Sequence, residues 1–318
     1  MNIVWIGCHE EGVAAFRTVL ENGTKVNAFI TLDDASIGKR SAGSHVYQAC
    51  CADYGIPYFQ VDSIKSDRAY GLVQEACPDL MVVLGWSEIL PERLLDIPKI
   101  GTVGAHASLL PHNRGSAPVN WALIHGEQTT GNTLFWLDKA VDTGQIIEQR
   151  EIPVTIYDTC ETLYRKVAET NAEMLAGLLA SLQRGTVPSS SIRNETDEPL
   201  LPRRRPKDGL INWEQSGAKI YDFIRALTKP YPGAFTFLDG RKWLVWSAAL
   251  LPVSSERNGL RPGEIAGNAY SFSMPANGIL VGTQKEVLLI TSVENDQGIL
   301  FSGRELNGLG MEGTFGNE

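Results

Sequence analysis

Short apolar runs alternate with helical stretches through residues 1–185, and this alternation constrains the fold more than any other feature. Strand-length runs such as Asn2–Gly7 and Lys25–Thr31 are each followed by a segment that favours a helix or a loop. Leu80–Leu84 is apolar at every position, as expected for a strand that is covered on both faces. The pattern predicts an α/β domain built on a mostly parallel sheet.

A different pattern begins after residue 186. Residues 187–206 are rich in Ser, Pro, Asp and Glu, which favours a linker. Beyond them, a predicted helix at Ser216–Thr228 precedes several short strands that are separated by Gly, Asp and Asn. The number of strands does not distinguish a β-barrel from a β-sandwich. We therefore predict a first domain at 1–186, a linker at 187–206, a small β domain at 207–300 and a flexible, glycine-rich tail at 301–318.

The charge of the chain is unevenly distributed. The net charge is −9, with 28 Lys and Arg against 37 Asp and Glu. Residues 1–201 have a net charge of −10 and residues 202–318 a net charge of +1, with a basic cluster at 203–207. A nucleic-acid footprint needs a broader basic face, so nucleic acid is disfavoured as a partner.

Other sequence features exclude further classes of protein. The five cysteines are an odd number and contain no C-x-x-C pair, which argues against a disulfide framework and a structural zinc site. No apolar run approaches the roughly 20 residues of a membrane span, and the N-terminus lacks the basic region of a signal peptide. We expect a cytoplasmic protein with no bound metal and no membrane partner. A homodimer is compatible with the sequence, which does not decide the oligomeric state.

Two polar residues fall at predicted strand ends. His106 follows the strand-like run at 101–105, and Asp142 precedes Thr143 and Gly144 at the end of another run. Ligands of open α/β sheets bind along the carboxyl edge, where a carboxylate can orient an imidazole. Taken singly, such a His is more often structural and an Asp-Thr-Gly run is usually turn chemistry.

Three sequence blocks in order change this interpretation. They are His106-x-Ser108-Leu109-Leu110-Pro111-x-x-Arg114-Gly115, then Thr130-Gly131-x-Thr133, then Asp142-x-Gly144-x-Ile146. With their spacing, they closely resemble the formyltransferase family that uses 10-formyltetrahydrofolate, which includes methionyl-tRNA formyltransferases, sugar-nucleotide N-formyltransferases and the hydrolase domain of formyltetrahydrofolate dehydrogenase. Residues 207–213 and 232–235 resemble the C-terminal domain of the longer members.

The resemblance implies both a fold and a set of site residues. The expected fold is α/β, a Rossmann-like, mostly parallel sheet followed by a small OB-like β-barrel domain. The implied catalytic positions are His106, Asp142 and Gly104, and the formyl donor is 10-formyltetrahydrofolate. Residues implied to contact the folate are Leu84, Gly85, Trp86, Ile89, Leu90, Leu137, Ala140, Val141 and Asp142. Residues implied on the acceptor side are Ser108, Leu109, Leu110, Pro111, Arg114, Gly115, Pro118 and Asn120. Two roles are possible for Arg114: it can contact a phosphate or hydroxyl group of the acceptor, or it can brace the preceding Leu-Leu-Pro loop.

The chain departs from the family at one catalytic position. The family triad is Asn, His and Asp, and its Asn stands two residues before the His, where this chain has Gly104. Loss of one oxyanion donor can cost about 10²–10³ in rate. Catalysis can persist with a substitute donor such as protonated His106, a water molecule or Asn120. The space can instead admit a different acceptor, or the enzyme can hydrolyse its donor, as relatives without that Asn do. A folate-binding protein without activity is the remaining alternative.

The acceptor is the less constrained half of the reaction. A methionyl-tRNA formyltransferase is expected to carry a basic loop after the second strand and a basic C-terminal domain. Here that loop holds only Lys39 and Arg40, and the second half is nearly neutral. Residues 118–121 and 230–235 are more similar to the amino-sugar nucleotide enzymes. We therefore predict formyl transfer to a primary amine of a small molecule, with an amino-sugar nucleotide as the first candidate and hydrolysis or tRNA formylation as alternatives.

Overall fold

The computed structural model describes residues 1–37, 44–86, 88–188, 197–251, 259–269 and 277–317. The loop at 38–43, the linker residues 189–196 and the final residue of the predicted tail lie outside the described residues. The chain packs into two compact units that interleave in sequence. The first unit comprises Met1–Pro118, Thr129–Pro153 and Leu163–Pro202, and the second comprises Val119–Gln128, Val154–Thr162 and Arg203–Glu318. The limits proposed for the domains and the linker remain predictions.

Helices and strands alternate through the first half of the chain, and strands dominate the second half. In chain order, the helices are α1 Val13–Glu21, α2 Asp34–Ile37, α3 Ser44–Tyr54, α4 Asp67–Ala76, α5 Glu92–Leu95, α6 Pro118–His125, α7 Cys160–Gln183, α8 Gly217–Leu227 and α9 Gly303–Asn307. The strands are β1 Ile3–Ile6, β2 Val26–Leu32, β3 Tyr58–Val61, β4 Leu80–Val83, β5 Gly101–His106, β6 Thr129–Trp136, β7 Ile146–Pro153, β8 Ala234–Leu238, β9 Arg241–Leu250, β10 Ile265–Ala269, β11 Gly278–Gly282, β12 Val287–Glu294 and β13 Leu300–Ser302.

The first unit is built on a seven-stranded sheet in the order β3-β2-β1-β4-β5-β6-β7. Strands β1 to β5 pair in parallel, and β6 and β7 complete the sheet in antiparallel fashion. Successive side chains of a strand point to opposite faces. Ile3 and Trp5 therefore join one buried cluster, whereas Val4 and Ile6 join another. This explains why β1 is apolar at every position.

The strand order places a topological switch at β1, which lies between β2 and β4. The loops that follow β1 and β4 meet at the carboxyl edge, because the Gly85 carbonyl accepts hydrogen bonds from the backbone N–H groups of Cys8 and His9, both at 2.9 Å. Open α/β sheets bind their ligands in the crevice at such an edge. The neighbouring strand β5 ends at the same edge with His106.

The second unit contains a six-stranded antiparallel sheet in the order β10-β11-β12-β9-β8, with β13 paired to β12. Helix α8 begins at the N-cap Ser216, whose hydroxyl accepts from the Lys219 N–H, and it buries Ile220 and Ile224. The structure confirms the predicted fold class, a mostly parallel α/β sheet followed by a small antiparallel β domain.

The end of the chain differs from the flexible tail that its glycines predict. Residues 303–307 form α9, and the side chains of Leu306, Met311 and Phe315 are buried. The Phe315 ring stacks on Trp213 with 5.6 Å between ring centroids, and Gly316 exchanges two backbone hydrogen bonds with Phe237. The buried apolar side chains between the glycines pack this segment against the sheet. The prediction of a loose tail is therefore corrected.

Helix α7 is the longest helix in the described part of the chain, at 24 residues. Its charged residues lie in its first 14 positions, and none of the described helices combines the length and apolarity that a membrane crossing requires.

Candidate active site

His106 stands at the carboxyl end of β5, where its side chain is buried. The imidazole Nε2 lies 2.9 Å from the carbonyl oxygen of Asn113, and Nδ1 lies 3.6 Å from Oδ2 of Asp142. Carbonyl and carboxylate oxygens only accept hydrogen bonds, so an imidazolium, with N–H on both nitrogens, satisfies both contacts. The Nδ1 distance is that of an ion pair, and such catalytic contacts often shorten when substrate binds.

Asp142 reaches His106 from a loop that leaves β6 and returns to the same edge of the sheet. Its backbone is left-handed, with φ of 54°, and its Oδ2 atom also accepts a 2.9 Å hydrogen bond from the Gly115 N–H. Gly144 permits the return of the loop, since a Cβ at this position would collide with the Trp136 carbonyl oxygen. The structure therefore brings together the two residues that the sequence singles out, although 36 positions separate them.

The loop from Ser108 to Pro111 is fixed by two polar residues of β6 and β7. The Thr133 hydroxyl donates to the Ser108 carbonyl at 2.7 Å and accepts from the Leu110 N–H at 3.1 Å. The Gln149 amide donates to the Leu110 carbonyl at 2.8 Å. Sequence reasoning gave Thr133 no role and missed Gln149, although Thr133 belongs to one of the three matched blocks. These bonds set the path of the loop that follows His106.

Arg114 braces the two loops of the site. Its Nη2 atom donates a 2.7 Å hydrogen bond to the carbonyl oxygen of Val141, beside Asp142. This contact joins the loop after His106 to the Asp142 loop, and the two roles considered for Arg114 remain predictions. Its Nε atom is buried and has no hydrogen-bond partner among the described residues, which leaves one donor for a ligand. Gly115 is required next to it, because at its φ of 108° a Cβ would lie 2.7 Å from the backbone of Leu201.

Gly104 and Leu137 share one volume beside His106. Gly104 is two residues before His106 on β5, so both point to the same face of the sheet. A Cβ at position 104 would lie 2.7 Å from Cδ2 of Leu137 and 3.1 Å from its Cγ. Leu137 packs in turn against the buried cluster of Leu110, Phe135 and Ile146. An isobutyl group therefore fills the space into which a longer side chain at position 104 would extend.

The predicted folate loops have groups that fit a bound ligand. Gly85 is left-handed with φ of 63°, and a Cβ there would lie 2.7 Å from the His9 carbonyl oxygen. The Trp86 Nε1 atom is buried and has no hydrogen-bond partner in the described part of the chain. Ile89 is 61% exposed at the sheet edge, whereas Leu84 and Leu90 are buried. A buried donor without a partner and an exposed apolar side chain are features that a bound heterocycle would satisfy.

The remaining predicted site residues have structural contacts. Ala140 is exposed, and its N–H donates to the Asp138 carboxylate at 3.2 Å. Pro118 is the first residue of α6. Asn120 is fully buried, and within the second unit its amide donates to the Ala226 carbonyl oxygen. This bond explains the burial of Asn120 without a substrate. Among the described residues, no group of three or more His, Cys, Asp or Glu side chains could hold a metal ion.

The chain matches two family descriptions along its length. Residues 6–179 match "Formyl transferase", and residues 204–309 match "Formyl transferase, C-terminal domain". It is 32% identical over 298 residues to a methionyl-tRNA formyltransferase from Geobacter sulfurreducens, an alignment that covers 92% of this chain and 89% of that protein.

Two solved structures share the fold at low sequence identity. One is HypX from Aquifex aeolicus in complex with tetrahydrofolic acid, with a TM-score of 0.64 and 16% identity. The match covers all of this chain and 48% of HypX, so the chain spans about half the length of that protein. The other is a sugar N-formyltransferase from a Shewanella species, with a TM-score of 0.59 and 20% identity, covering 79% of this chain and 99% of that one. From the family matches and the sequence identity, the chain belongs to the formyl transferase family.

Proposed function

We propose that this enzyme transfers a formyl group from 10-formyltetrahydrofolate to the primary amine of a small molecule, with an amino-sugar nucleotide as the first candidate. The observation that carries the proposal is the buried pair of His106 and Asp142 at the carboxyl edge of the sheet, 3.6 Å apart. Bound 10-formyltetrahydrofolate supplies a formyl group on its N10 nitrogen. The loops at 84–90 and 137–142 are the proposed site for its pterin ring.

The pair can supply the proton transfers that this reaction needs. Attack of a neutral amine on the formyl carbon places negative charge on the formyl oxygen, and the positive charge of an imidazolium at His106 can stabilise it. The amine nitrogen must lose a proton and N10 must gain one, so the net proton count is unchanged. The His106 imidazolium can deliver its proton to N10, and the neutral imidazole that results can take up the proton of the amine nitrogen, while the Asp142 carboxylate stabilises its charged form.

Position 104 of this centre carries no side-chain amide. Gly104 offers no polar side-chain atom, and Leu137 fills the space next to it. Asn120, the substitute donor considered from the sequence, uses its amide in a bond to the Ala226 carbonyl. With position 104 and Asn120 set aside, the proposal assigns stabilisation of the formyl oxygen to His106.

A small acceptor is supported by the charge of the chain. Residues 202–318 have a net charge of +1 and the whole chain −9, so neither offers the positive field that guides an RNA to an enzyme. The second candidate is transfer to methionyl-tRNA. It is supported by the 32% identity over 92% of the chain to a methionyl-tRNA formyltransferase.

One set of incubations separates the candidates. The protein is mixed with 10-formyltetrahydrofolate and either nucleotide-linked amino sugars, charged initiator tRNA or no amine, and formate and formyl-amine are quantified. We expect formyl-amine with an amino sugar and little formate without one. Formylation of tRNA alone would assign the second candidate, and formate release that ignores the amine would identify a hydrolase. His106→Ala is the control, and it should abolish every product. The cytoplasmic location remains part of the proposal and rests on sequence features alone.

A further inference from the structure

A cavity of about 410 Å³ lies within the second unit, between the end of α6, the segment 210–215 and α8. Its apolar lining consists of aliphatic side chains and one aromatic ring: Ile124, Leu210, Ile211, Ile220 and Phe223. Small-molecule sites in proteins have volumes of roughly 300–1,000 Å³ and largely apolar walls. The cavity has the size and lining of a ligand site, and no residue proposed for formyl transfer lines it.

Four polar side chains complete the lining: His125, Asn212, Gln215 and Lys219. In the described part of the chain, the Lys219 ammonium and the Gln215 side-chain amide have no hydrogen-bond or ion-pair partner. Asn212 uses its Oδ1 atom to accept from the Glu214 N–H at 3.0 Å, which leaves its NH₂ group available. The cavity therefore offers an ammonium group and two amides that can still form hydrogen bonds.

The charges of the lining favour an anionic ligand. Lys219 carries a positive charge, and among the described residues no Asp or Glu lines the cavity. The carboxylate of Glu127 lies next to His125 instead, with its Oε1 atom 3.9 Å from His125 Nδ1. An ammonium group without a carboxylate partner is a ready contact for a phosphate oxygen.

We propose that this cavity binds a nucleoside phosphate. A planar base suits the apolar walls and the Phe223 ring, since base–aromatic stacking stabilises such complexes. The Asn212 and Gln215 amides supply the donors and acceptors that pair with the edge of a base. Lys219 contacts the phosphate. Free nucleotides and the nucleotides of an RNA chain share this chemistry, so the test includes both sources.

The test is calorimetric titration of the whole chain with UMP, CMP, AMP and GMP, and separately with a short single-stranded RNA. The variant is Lys219→Ala, and the matched control is Arg241→Ala, which removes the same charge from an exposed position of β9 that does not line the cavity. Lys219 is exposed, so its removal should leave the thermal unfolding midpoint unchanged.

We expect at least one mononucleotide or the RNA to bind, and Lys219→Ala to weaken that binding at least about tenfold, because it removes a charge-assisted hydrogen bond. Gln215→Ala should change the preference among bases. Arg241→Ala should bind like the wild type. Tighter binding of the free nucleotides identifies a metabolite site, and tighter binding of the RNA identifies an RNA contact.

Two results would overturn the proposal: no binding by any of these probes at millimolar concentration, or an equal loss in Lys219→Ala and Arg241→Ala. Titration of His106→Ala keeps the inference separate from formyl transfer. Binding that persists in this variant and is weakened by Lys219→Ala belongs to the cavity even if the proposed acceptor is wrong, whereas binding that disappears in His106→Ala assigns the nucleotide to the reaction centre.

Discussion

Replacing Gly104 with Asn introduces a side-chain amide beside His106 and tests whether this centre works without one. The single variant forces the new Cβ to within 2.7 Å of Leu137 Cδ2. Overpacking of this kind typically costs about 1–3 kcal/mol of stability, and the displaced Leu137 would disturb its contacts with Leu110 and Phe135. We therefore expect Gly104→Asn to lower the unfolding midpoint and to bring little gain in rate.

The double variant Gly104→Asn, Leu137→Ala removes the clash. Truncation of a leucine in a core costs about 2–5 kcal/mol, and Leu137 is half-buried, so its cost should fall at the low end of that range. With the space cleared, the amide can reach the volume next to His106. One oxyanion donor contributes up to about 10²–10³ in rate.

The matched control is Gly104→Ala, Leu137→Ala, which clears the same space without an amide. Formyl-amine production at saturating 10-formyltetrahydrofolate is measured for each variant, so that weaker folate binding does not mask a change in kcat. We expect the Asn-containing double variant to exceed the Ala control at least tenfold, a coupling of about 1.4 kcal/mol. Equal rates in the two double variants would refute the idea that the missing amide limits this centre. A single Gly104→Asn variant as stable as the wild type would refute the steric reasoning.

Three further predictions concern Asp142, Glu11 and the cysteines. Asp142→Asn keeps an oxygen that can accept from the Gly115 N–H, but it loses the charge opposite His106. We expect kcat/KM to fall by about 10²–10⁴ with an unchanged unfolding midpoint. A loss of less than tenfold would exclude Asp142 from the proton transfers. Burial, reinforced by Glu10, raises the pKa of Glu11 from 4.5 to about 7, so the folded protein retains a proton that the unfolded chain releases, and stability falls as pH rises from about 4.5 through 7. Glu11→Gln should remove this fall, a difference of about 3 kcal/mol at most at pH 8 in denaturant titrations, and parallel pH dependence in both proteins would contradict it. Of the five cysteines, Cys77 is exposed and the other four are buried, so a thiol reagent should label one site on the native protein. Burial also raises the pKa of the Cys51 and Cys160 thiols to about 12, which lowers their reactivity further. Rapid labelling of a second site would contradict this packing.

Local sequence patterns predict the elements of the first unit because each depends on neighbouring residues. The apolar runs of β1 and β4 need both faces covered, and this is visible in four consecutive side chains. A second domain of several short strands is also predicted from the sequence. The tail is predicted incorrectly, because its glycines suggest mobility while Phe315 supplies the contact with Trp213 that holds the segment in place.

The candidate site also has features that the sequence predicts and features that it does not. His106 and Asp142 are predicted from motif and position, and the Gly104 departure is visible in the sequence as the absence of an amide. The sequence does not show what fills that space, because Leu137 belongs to another strand end and the contact depends on how β5 pairs with β6. Thr133 and Gln149 are missed for the same reason, since their hydrogen bonds to the loop after His106 cross between strands.

By itself, then, the sequence determines the order of strands and helices, the uneven charge and the chemical types available for catalysis, because these depend on composition and on residues close together in the chain. Tertiary structure alone decides that His106 meets Asp142 at 3.6 Å, that Leu137 occupies the volume next to Gly104, and that the amide of Asn120 binds the Ala226 carbonyl of α8. Each of these contacts joins residues more than 30 positions apart. Strand register and side-chain packing set such contacts, and neither can be predicted from a local sequence pattern.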